Sequence, residues 1–329
     1  GGYRVVTTID LKMQQTAERW LKAAVICPHE KDTAACLKSV GVPSRTWITK
    51  LRGASIHNGA MASIDYRTGE VLAYVGSADY YARTATKQFQ PKFDVLGDGW
   101  RQPGSAFKPI NYITGIDDRI LTAASVFMDV VTDFGGGYTP TDADGLERGP
   151  LRLRQALQFS LNIPAIKAAA MIGPDHVFAN AQRFGIRFQQ NRNQAGVSIA
   201  IGTLELHPID LLTAYGALAN GGVLMPRRTI LEVDDASGKR VWPTTNAPPA
   251  GQPVASPQAA YIITDILAGN TNPAVNPYWG QARLTDGGRR RPAALKTGTT
   301  NDTKDLMSVG YVAPPEDPKA PAIATLVWV

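Results

Sequence analysis

Apolar and polar residues alternate near both ends of the chain, which is the pattern of half-buried β-strands. Residues 59–77 alternate around the turn sequence YRTG and predict a hairpin. Three more strand-like segments, AALKTGTT, LMSVGYVA and AIATLVWV, lie within residues 290–329. Strands at both ends with helices between them predict one sheet, in which late strands pair with early ones.

Apolar residues recur at helical spacing through the middle of the chain. A short strand and a helix that Asp10 can cap come first, and a later hairpin turns at Ser237 and Gly238. The helical segments are 105–118, 151–171, 175–184, 205–220 and 256–269. This order of elements predicts the α+β class.

Composition supports a globular chain and excludes several functions. The chain has 329 residues, 44% hydrophobic and 19% charged, which is enough for a sizeable core. The net charge is +6, but the basic residues are scattered and no aromatic residues alternate with them, so we expect no nucleic-acid partner. No apolar run reaches the length of a membrane span, and no signal peptide opens the sequence, so we expect any anchor or export signal to lie outside this chain.

The spacing of the cysteines and histidines is not typical of a metal site. Cys27 and Cys36 flank a polar loop and could form a disulfide or remain two free thiols; the sequence leaves both alternatives open. The four histidines are dispersed without ligand spacing. We expect neither a metal nor an organic cofactor.

The stretch GWRQPGSAFKPINYI brings a hydroxyl and an amine together. A helix beginning after Gly104 would place Ser105 and Lys108 on one face, one turn apart, and Pro109 fits only near a helix start. Serine is a weak nucleophile until a base removes its proton, and a neutral lysine can be that base if burial or a second cation lowers its pKa. The spacing is common, so other residues must support this interpretation.

Two later stretches add polar groups of matching chemistry. QFSLNIPAIKAA contains Ser160 and Asn162, which a tight turn could direct into one cleft. ALKTGTTND contains a cation, two hydroxyls and a glycine whose missing side chain would let a substrate backbone lie close; these are Lys296, Thr297, Thr299 and Gly298.

In this order the three stretches resemble the S-x-x-K, S-x-N and K-T-G signatures of penicillin-binding proteins and serine β-lactamases. Further blocks, including RVVTTIDLKMQQTAE, RGPLRLRQALQFSLNIPA and IGTLELHPIDLLTAYGALANGG, resemble the transpeptidase domain of class A penicillin-binding proteins. The resemblance implies an α/β sandwich, in which helices flank a central antiparallel sheet of about five strands and the active site lies between the sheet and an all-helical subdomain. It implies an N-terminal linker and entry segment over residues 1–58 and the transpeptidase domain over 59–329. The sheet is expected from 59–77 and 290–329, and the helical subdomain at about 105–225.

The resemblance also implies a role for each residue. Ser105 would attack a peptidoglycan stem peptide at its D-Ala-D-Ala end, with Lys108 as base, and β-lactams would acylate the same serine. Ser160 would relay a proton to the leaving amine, Lys296 would keep Lys108 neutral and attract the substrate carboxylate, and Asn162 would hold the substrate amide. Thr297 and Thr299 would bind the carboxylate beside Gly298, and the backbone N–H groups of Ser105 and Thr299 would form the oxyanion hole.

The resemblance has departures and leaves alternatives open. Leu295 stands where Gly often precedes K-T-G, Met307 and Ser308 replace aromatics, and Asp142 replaces an Asn. The family normally continues to a C-terminal helix that we expect to be missing here, and an upstream glycosyltransferase domain and membrane anchor are expected, at the outer face of the bacterial cytoplasmic membrane. A carboxypeptidase, a serine β-lactamase and a non-catalytic β-lactam sensor are the alternative functions.

Overall fold

The computed structural model describes residues 2–243, 249–277, 279–300 and 303–329. Its helices are α1 (Leu11–Val25), α2 (Thr33–Ser39), α3 (Thr46–Lys50), α4 (Lys108–Asp117), α5 (Leu153–Gln158), α6 (Asn162–Ile172), α7 (Pro174–Arg183), α8 (Pro208–Ala219) and α9 (Pro257–Asn270). Its strands are β1 (Arg4–Thr7), β2 (Ala60–Asp65), β3 (Glu70–Val75), β4 (Val126–Asp129), β5 (Gly149–Arg152), β6 (Val223–Leu224), β7 (Ile230–Asp234), β8 (Arg240–Trp242), β9 (Gln252–Pro253), β10 (Leu284–Asp286), β11 (Arg289–Arg291), β12 (Ala293–Thr299), β13 (Leu306–Val312) and β14 (Ile323–Trp328).

The central sheet has five antiparallel strands in the order β12-β13-β14-β2-β3. Its closing pair joins the two ends of the chain, since Trp328 pairs with Ala60 and Leu326 with Ala62. The predicted pairing of late strands with early ones is therefore confirmed, as is the α+β class with its five-stranded sheet. The strand β12 lies at one edge of the sheet, beside the helical part of the molecule.

Helices cover both faces of this sheet. On one face α1 packs its apolar side, including Ala17, Leu21 and Val25, against Ala73 and Val75 of β3. On the other face α8 and α9 pack on the sheet, and α4 to α7 form the helical layer beyond them. The helix α4 is buried over most of its length and forms the centre of this layer. No helix among the described residues is both long and apolar enough to cross a membrane.

The predicted helix over 151–171 is wrong, because the chain forms β5, α5 and α6 there. Ser160 adopts a left-handed backbone with φ of 60°, which ends helical hydrogen bonding between α5 and α6. Pro164 is the third residue of α6 and has no N–H, so it fits only in the first turn of a helix. The proline therefore marks a new helix start that apolar spacing alone does not show.

Cys27 and Cys36 form a disulfide, with their Cα atoms 5.4 Å apart. The bond joins the segment just after α1 to α2, beside a small core of Ala23, Leu37 and Ile48. Of the two alternatives that the sequence left open, the bonded pair is the one observed.

We expect an alkylating reagent to add no mass to the denatured protein unless a reductant is present, and to add two labels after reduction. Closing so short a loop contributes about 2 to 3 kcal/mol to the free energy of unfolding. Labelling without reductant would show that the bond does not form.

Candidate active site

Ser105 lies in a 3-10 turn, Gly104–Phe107, which continues directly into α4 at Lys108. The turn is tighter than the predicted α-helical start, but it keeps Ser105 and Lys108 on one side of the chain. Pro109 occupies the first turn of α4, where its missing N–H breaks no helical bond. The sequence prediction for this helix start is confirmed.

Glycines allow the turn at Ser105 to lie against the end of β12. A Cβ added to Gly298 would meet the carbonyl oxygen of Pro103 at 2.0 Å, and one added to Gly104 would meet that of Thr299 at 2.5 Å. Gly104 also has a φ of +54°, which disfavours any other residue. The sequence interpretation expected a substrate beside Gly298, but the protein's own Pro103 fills that space.

Ser160 lies in the turn between α5 and α6, and Asn162 is the first residue of α6. The left-handed conformation of Ser160 is rare outside glycine and asparagine, and such strained residues occur often at functional sites. The turn is fixed by two backbone bonds, from Ser160 N–H to Leu157 and from Leu161 N–H to Ala156. It holds both polar side chains over Lys108.

Lys108 is fully buried at the centre of the predicted residues. Its Nζ lies 2.8 Å from Ser105 Oγ, 2.5 Å from the Ser160 carbonyl oxygen and 2.7 Å from Asn162 Oδ1. The two carbonyl oxygens can only accept hydrogen bonds. A neutral amine would give both of its N–H groups to them, and its lone pair would then face the Ser105 hydroxyl.

Lys296 lies on β12, and its side chain is buried beside the same turn. Its Nζ donates to Ser160 Oγ at 2.7 Å and to the carbonyl oxygen of Thr297 at 3.0 Å. Ser160 Oγ also lies 3.4 Å from Lys108 Nζ, so this hydroxyl stands between the two amines. A proton can therefore pass between neighbouring groups without large movement.

Both lysines have lowered pKa values. Burial disfavours the charged form of Lys108 and lowers its pKa well below the usual value, and the charge of Lys296 lowers it further. The pKa of Lys296 falls to about 7, because burial disfavours its charge. Burial and a second cation, the two causes that the sequence analysis named, both act on Lys108.

The remaining predicted residues lie along β12. Side chains alternate along a strand, so Thr297 and Thr299 share one face while Lys296 and Gly298 share the other. Thr299 is exposed and its peptide lies against Gly104, next to Ser105. The N–H of Ser105 belongs to the first turn of a helix, where N–H groups lack intrahelical partners.

The side-chain amide of Asn162 already has hydrogen-bond partners within the protein. Its Oδ1 accepts from Lys108, and its Nδ2 donates to the carbonyl oxygen of Thr141 at 2.9 Å. Both ends of the amide are thus bonded within the protein, so a substrate amide at Asn162 would have to share or replace one of these bonds.

The sequence analysis missed a cluster that supports the end of β12. Asp305 accepts from Trp328 Nε1 at 2.8 Å and lies 3.3 Å from Arg101 Nε, while its backbone N–H donates to Thr300 Oγ1 at 2.9 Å. The Arg101 guanidinium also lies 5.3 Å from the Trp328 ring centroid. The cluster ties the segment after Thr299 to the RQPGS stretch. Arg101 in RQPGS was the one signal of this cluster in the sequence, but its partners lie far away in the chain, so the sequence alone did not reveal them.

A cavity of about 630 Å³ lies elsewhere, between α1, β3 and the segment 77–94. None of the predicted site residues lines it, so the chemistry and not the size of the cavity identifies the candidate site. Among the described residues, no three His, Cys, Asp or Glu side chains gather as a metal site would require.

Comparisons with known proteins identify the family of this chain. The family model described as the penicillin binding protein transpeptidase domain matches residues 59–320. Penicillin-binding protein 1A of Neisseria meningitidis is 33% identical over 262 residues, which cover 77% of this chain and 31% of that protein. Penicillin-binding protein 2D of Bacillus subtilis is 30% identical across 99% of this chain and 41% of its own length. The chain thus spans about a third to two fifths of these relatives.

Solved structures show the same fold. The penicillin-binding protein PonA1 from Mycobacterium tuberculosis superposes with a TM-score of 0.73 at 22% identity, covering 99% of this chain and 76% of that one. A second structure of PonA1, in complex with penicillin V, matches equally well. Since the family model covers well over half of the sequence, this chain belongs to the penicillin-binding protein transpeptidase family.

Proposed function

We propose that this chain is a serine D,D-transpeptidase that cross-links peptidoglycan stem peptides through an acyl-enzyme on Ser105, and that β-lactams acylate the same residue. The observation that carries the proposal is the placement of Lys108 Nζ 2.8 Å from Ser105 Oγ, with two carbonyl oxygens occupying its N–H groups. A buried amine held in this way is poised to act as a base.

In the first step Ser105 Oγ bonds to the carbonyl carbon of the penultimate D-alanine, and its proton passes to Lys108 Nζ. The oxyanion that forms accepts hydrogen bonds from the backbone N–H groups of Ser105 and Thr299. The positive end of the helix dipole at Ser105 also stabilises its charge. The proton then moves through Ser160 Oγ to the leaving amine, and the terminal D-alanine departs. Lys296, 2.7 Å from Ser160 Oγ, keeps this hydroxyl in position.

The terminal carboxylate of the donor peptide binds the hydroxyls of Thr297 and Thr299, which share a face of β12, and is attracted by Lys296. Asn162 contacts the substrate amide as well as Lys108. The amine of a second stem peptide then attacks the acyl carbon, its proton returns through Lys108 to Ser105 Oγ, and a cross-link forms. A β-lactam presents the same carboxylate and a strained amide, but its leaving group stays attached.

The wider setting is also a proposal. The domain spans residues 59–329, with 1–58 as an N-terminal linker and entry segment whose helix α1 packs on the sheet, in a longer membrane-anchored protein with an upstream glycosyltransferase domain. It acts at the outer face of the bacterial cytoplasmic membrane. The coverage of relatives named penicillin-binding protein 1A, 31% of their length, supports this view.

A fluorescent penicillin and intact mass measurement test the proposal. We expect the mass of the protein to rise by the whole mass of the penicillin, the label to map to Ser105, and Ser105→Ala to remove it. The exposed Ser237, replaced by alanine, is the matched control and keeps the label. Absence of a covalent adduct in the wild-type protein would overturn the proposal.

A donor peptide ending in D-Ala-D-Ala, mixed with an amine acceptor, separates the related activities. A transpeptidase releases D-alanine and forms the cross-linked product, whereas a carboxypeptidase forms only the shortened acid. Rapid release of hydrolysed penicillin would indicate a β-lactamase, and labelling without any peptide reaction would indicate a sensor.

A further inference from the structure

Asp142 lies behind the turn that carries Ser160 and Asn162, with its side chain 1% exposed. Its Oδ1 accepts the backbone N–H of Asn162 in a short hydrogen bond and that of Ile163 at 3.2 Å. These are the first two N–H groups of α6, whose N-cap residue, Leu161, has no side chain that can cap them. Asp142 therefore caps α6 from a segment 20 residues earlier in the chain.

The same segment fixes the side chain of Asn162. The carbonyl oxygen of Thr141 accepts from Asn162 Nδ2 at 2.9 Å, while Asp142 holds the backbone of the same residue. With the backbone and the amide nitrogen both held, Asn162 Oδ1 has one direction left, which is toward Lys108 Nζ at 2.7 Å. The Thr141-Asp142 segment thus positions the oxygen that accepts a hydrogen bond from Lys108.

The charge of Asp142 also acts on Lys108. The charges of Lys296 and Asp142 act on Lys108 in opposite directions, since the first lowers its pKa and the second raises it. An asparagine at position 142 could accept the same two hydrogen bonds, but it would not carry this charge. The aspartate therefore adds an electrostatic effect that an uncharged capping residue would not provide.

Other charged groups surround Asp142. Arg148 Nη1 lies 3.5 Å from both Asp142 Oδ2 and Asp129 Oδ2, and the guanidinium also pairs with the exposed Asp144. Burial and the neighbouring Asp142 raise the pKa of Asp129 to about 6. Above that pH Asp129 is ionised, and it shares the single guanidinium of Arg148 with Asp142.

We propose that Asp142 is a positioning residue for the Ser105–Lys108 pair: it caps α6 to direct Asn162 Oδ1 at Lys108, and its charge opposes that of Lys296 at the amine. The inference rests on the proposed function, because the pair must perform the acylation. It assigns Asp142 a role through Lys108 and Asn162, without contact to the substrate.

Three variants separate the two effects. Asp142→Asn keeps the acceptor oxygen and can donate from its Nδ2 to Asp129, but it removes the charge. Asp142→Ala removes both the cap and the charge. Asp144→Asn is the matched control, since Asp144 pairs with the same arginine but is exposed and contacts neither Asn162 nor Lys108.

The experiment measures the rate of penicillin acylation from pH 5 to 9, together with the pKa of Lys108 by NMR of 13Cε-labelled lysine. For Asp142→Asn we expect the half-maximal pH and the Lys108 pKa both to fall by about 0.5 to 1 unit, with an unchanged maximal rate. The sign follows because loss of a nearby negative charge makes the protonated amine less favourable. For Asp142→Ala we expect the maximal rate to fall at least about tenfold, and for Asp144→Asn no change.

A pH profile and a Lys108 pKa for Asp142→Asn that coincide with those of the wild type would overturn the electrostatic role. A wild-type maximal rate in Asp142→Ala would overturn the positioning role. If that variant does not fold, Asp142→Ser, whose shorter side chain caps poorly, gives the same comparison. Failure of the wild-type protein to react would refute the proposed function, whereas the NMR measurement tests Asp142 without any reaction.

Discussion

Replacing Lys108 with methionine is expected to lower the rate constant for acylation of Ser105 by roughly 10²- to 10⁴-fold, the usual range for loss of a general base. Methionine has nearly the same length and no charge, so it can fill the fully buried site of Lys108 without leaving a cavity. The measurement is stopped-flow or quenched labelling with a fluorescent penicillin. The matched control is Lys167→Met in α6, which removes a bond to Met128 and not the base.

The stability of the same variant relative to the wild-type protein is expected to depend on pH. A lysine with a lowered pKa in the folded state holds fewer protons than the same lysine in the unfolded chain, where its pKa is 10.5. The free energy of unfolding therefore rises with pH over the window between the two values, and falls as the pH is lowered through it. Methionine does not titrate, so the unfolding free energy of Lys108→Met minus that of the wild type should fall as the pH rises from 7 to 9.5. Wild-type acylation in this variant, or a difference that rises with pH, would contradict the assignment.

Replacing Gly298 with alanine is expected to lower the acylation rate constant at least about 100-fold, which is the scale of effect of a 1 Å misplacement in a catalytic site. The added methyl group would lie 2.0 Å from the carbonyl oxygen of Pro103 and 3.0 Å from Ala106 Cβ. Either β12 or the turn at Ser105 must move, and such overpacking costs about 1 to 3 kcal/mol of unfolding free energy. Thermal unfolding and acylation kinetics give the two readouts.

Gly196→Ala is the matched control for this prediction. A Cβ at Gly196 has no neighbour within 4 Å, and its backbone φ of −87° suits any residue. We expect that variant to keep wild-type stability and acylation. If Gly298→Ala reacts as fast as the wild type, then the close approach of β12 to the turn at Ser105 is not needed for the reaction.

Local patterns in the sequence were sufficient for much of the fold. The alternation over 59–77 and in the last three segments gives strands because a half-buried strand repeats every two residues. Pro109 gives the start of α4, since proline tolerates only the first turn. The candidate residues of the three motifs lie close together around the buried amine of Lys108, as the motifs suggested; they are Ser105, Ser160, Asn162 and Lys296.

Other features depend on partners that are distant in the chain. The break at Ser160 depends on a single left-handed residue, and apolar spacing continues through it. The cap that Asp142 gives to α6 and the contact of Arg101 with Asp305 join segments 20 and more than 200 residues apart. The need for a glycine at position 298 could also be explained only from the structure, because only the fold shows that Pro103 occupies the space beside it.

The most direct test of the central claim is the pKa of Lys108 in the wild-type protein, measured by NMR of 13Cε-labelled lysine with Lys108→Met to assign the signal. A base for Ser105 must be a neutral amine at working pH, so we expect Lys108 to titrate well below 10.5, as its burial and the nearby Lys296 require. A Lys108 signal that titrates near 10.5 would mean a protonated amine beside Ser105, and would contradict its role as the base.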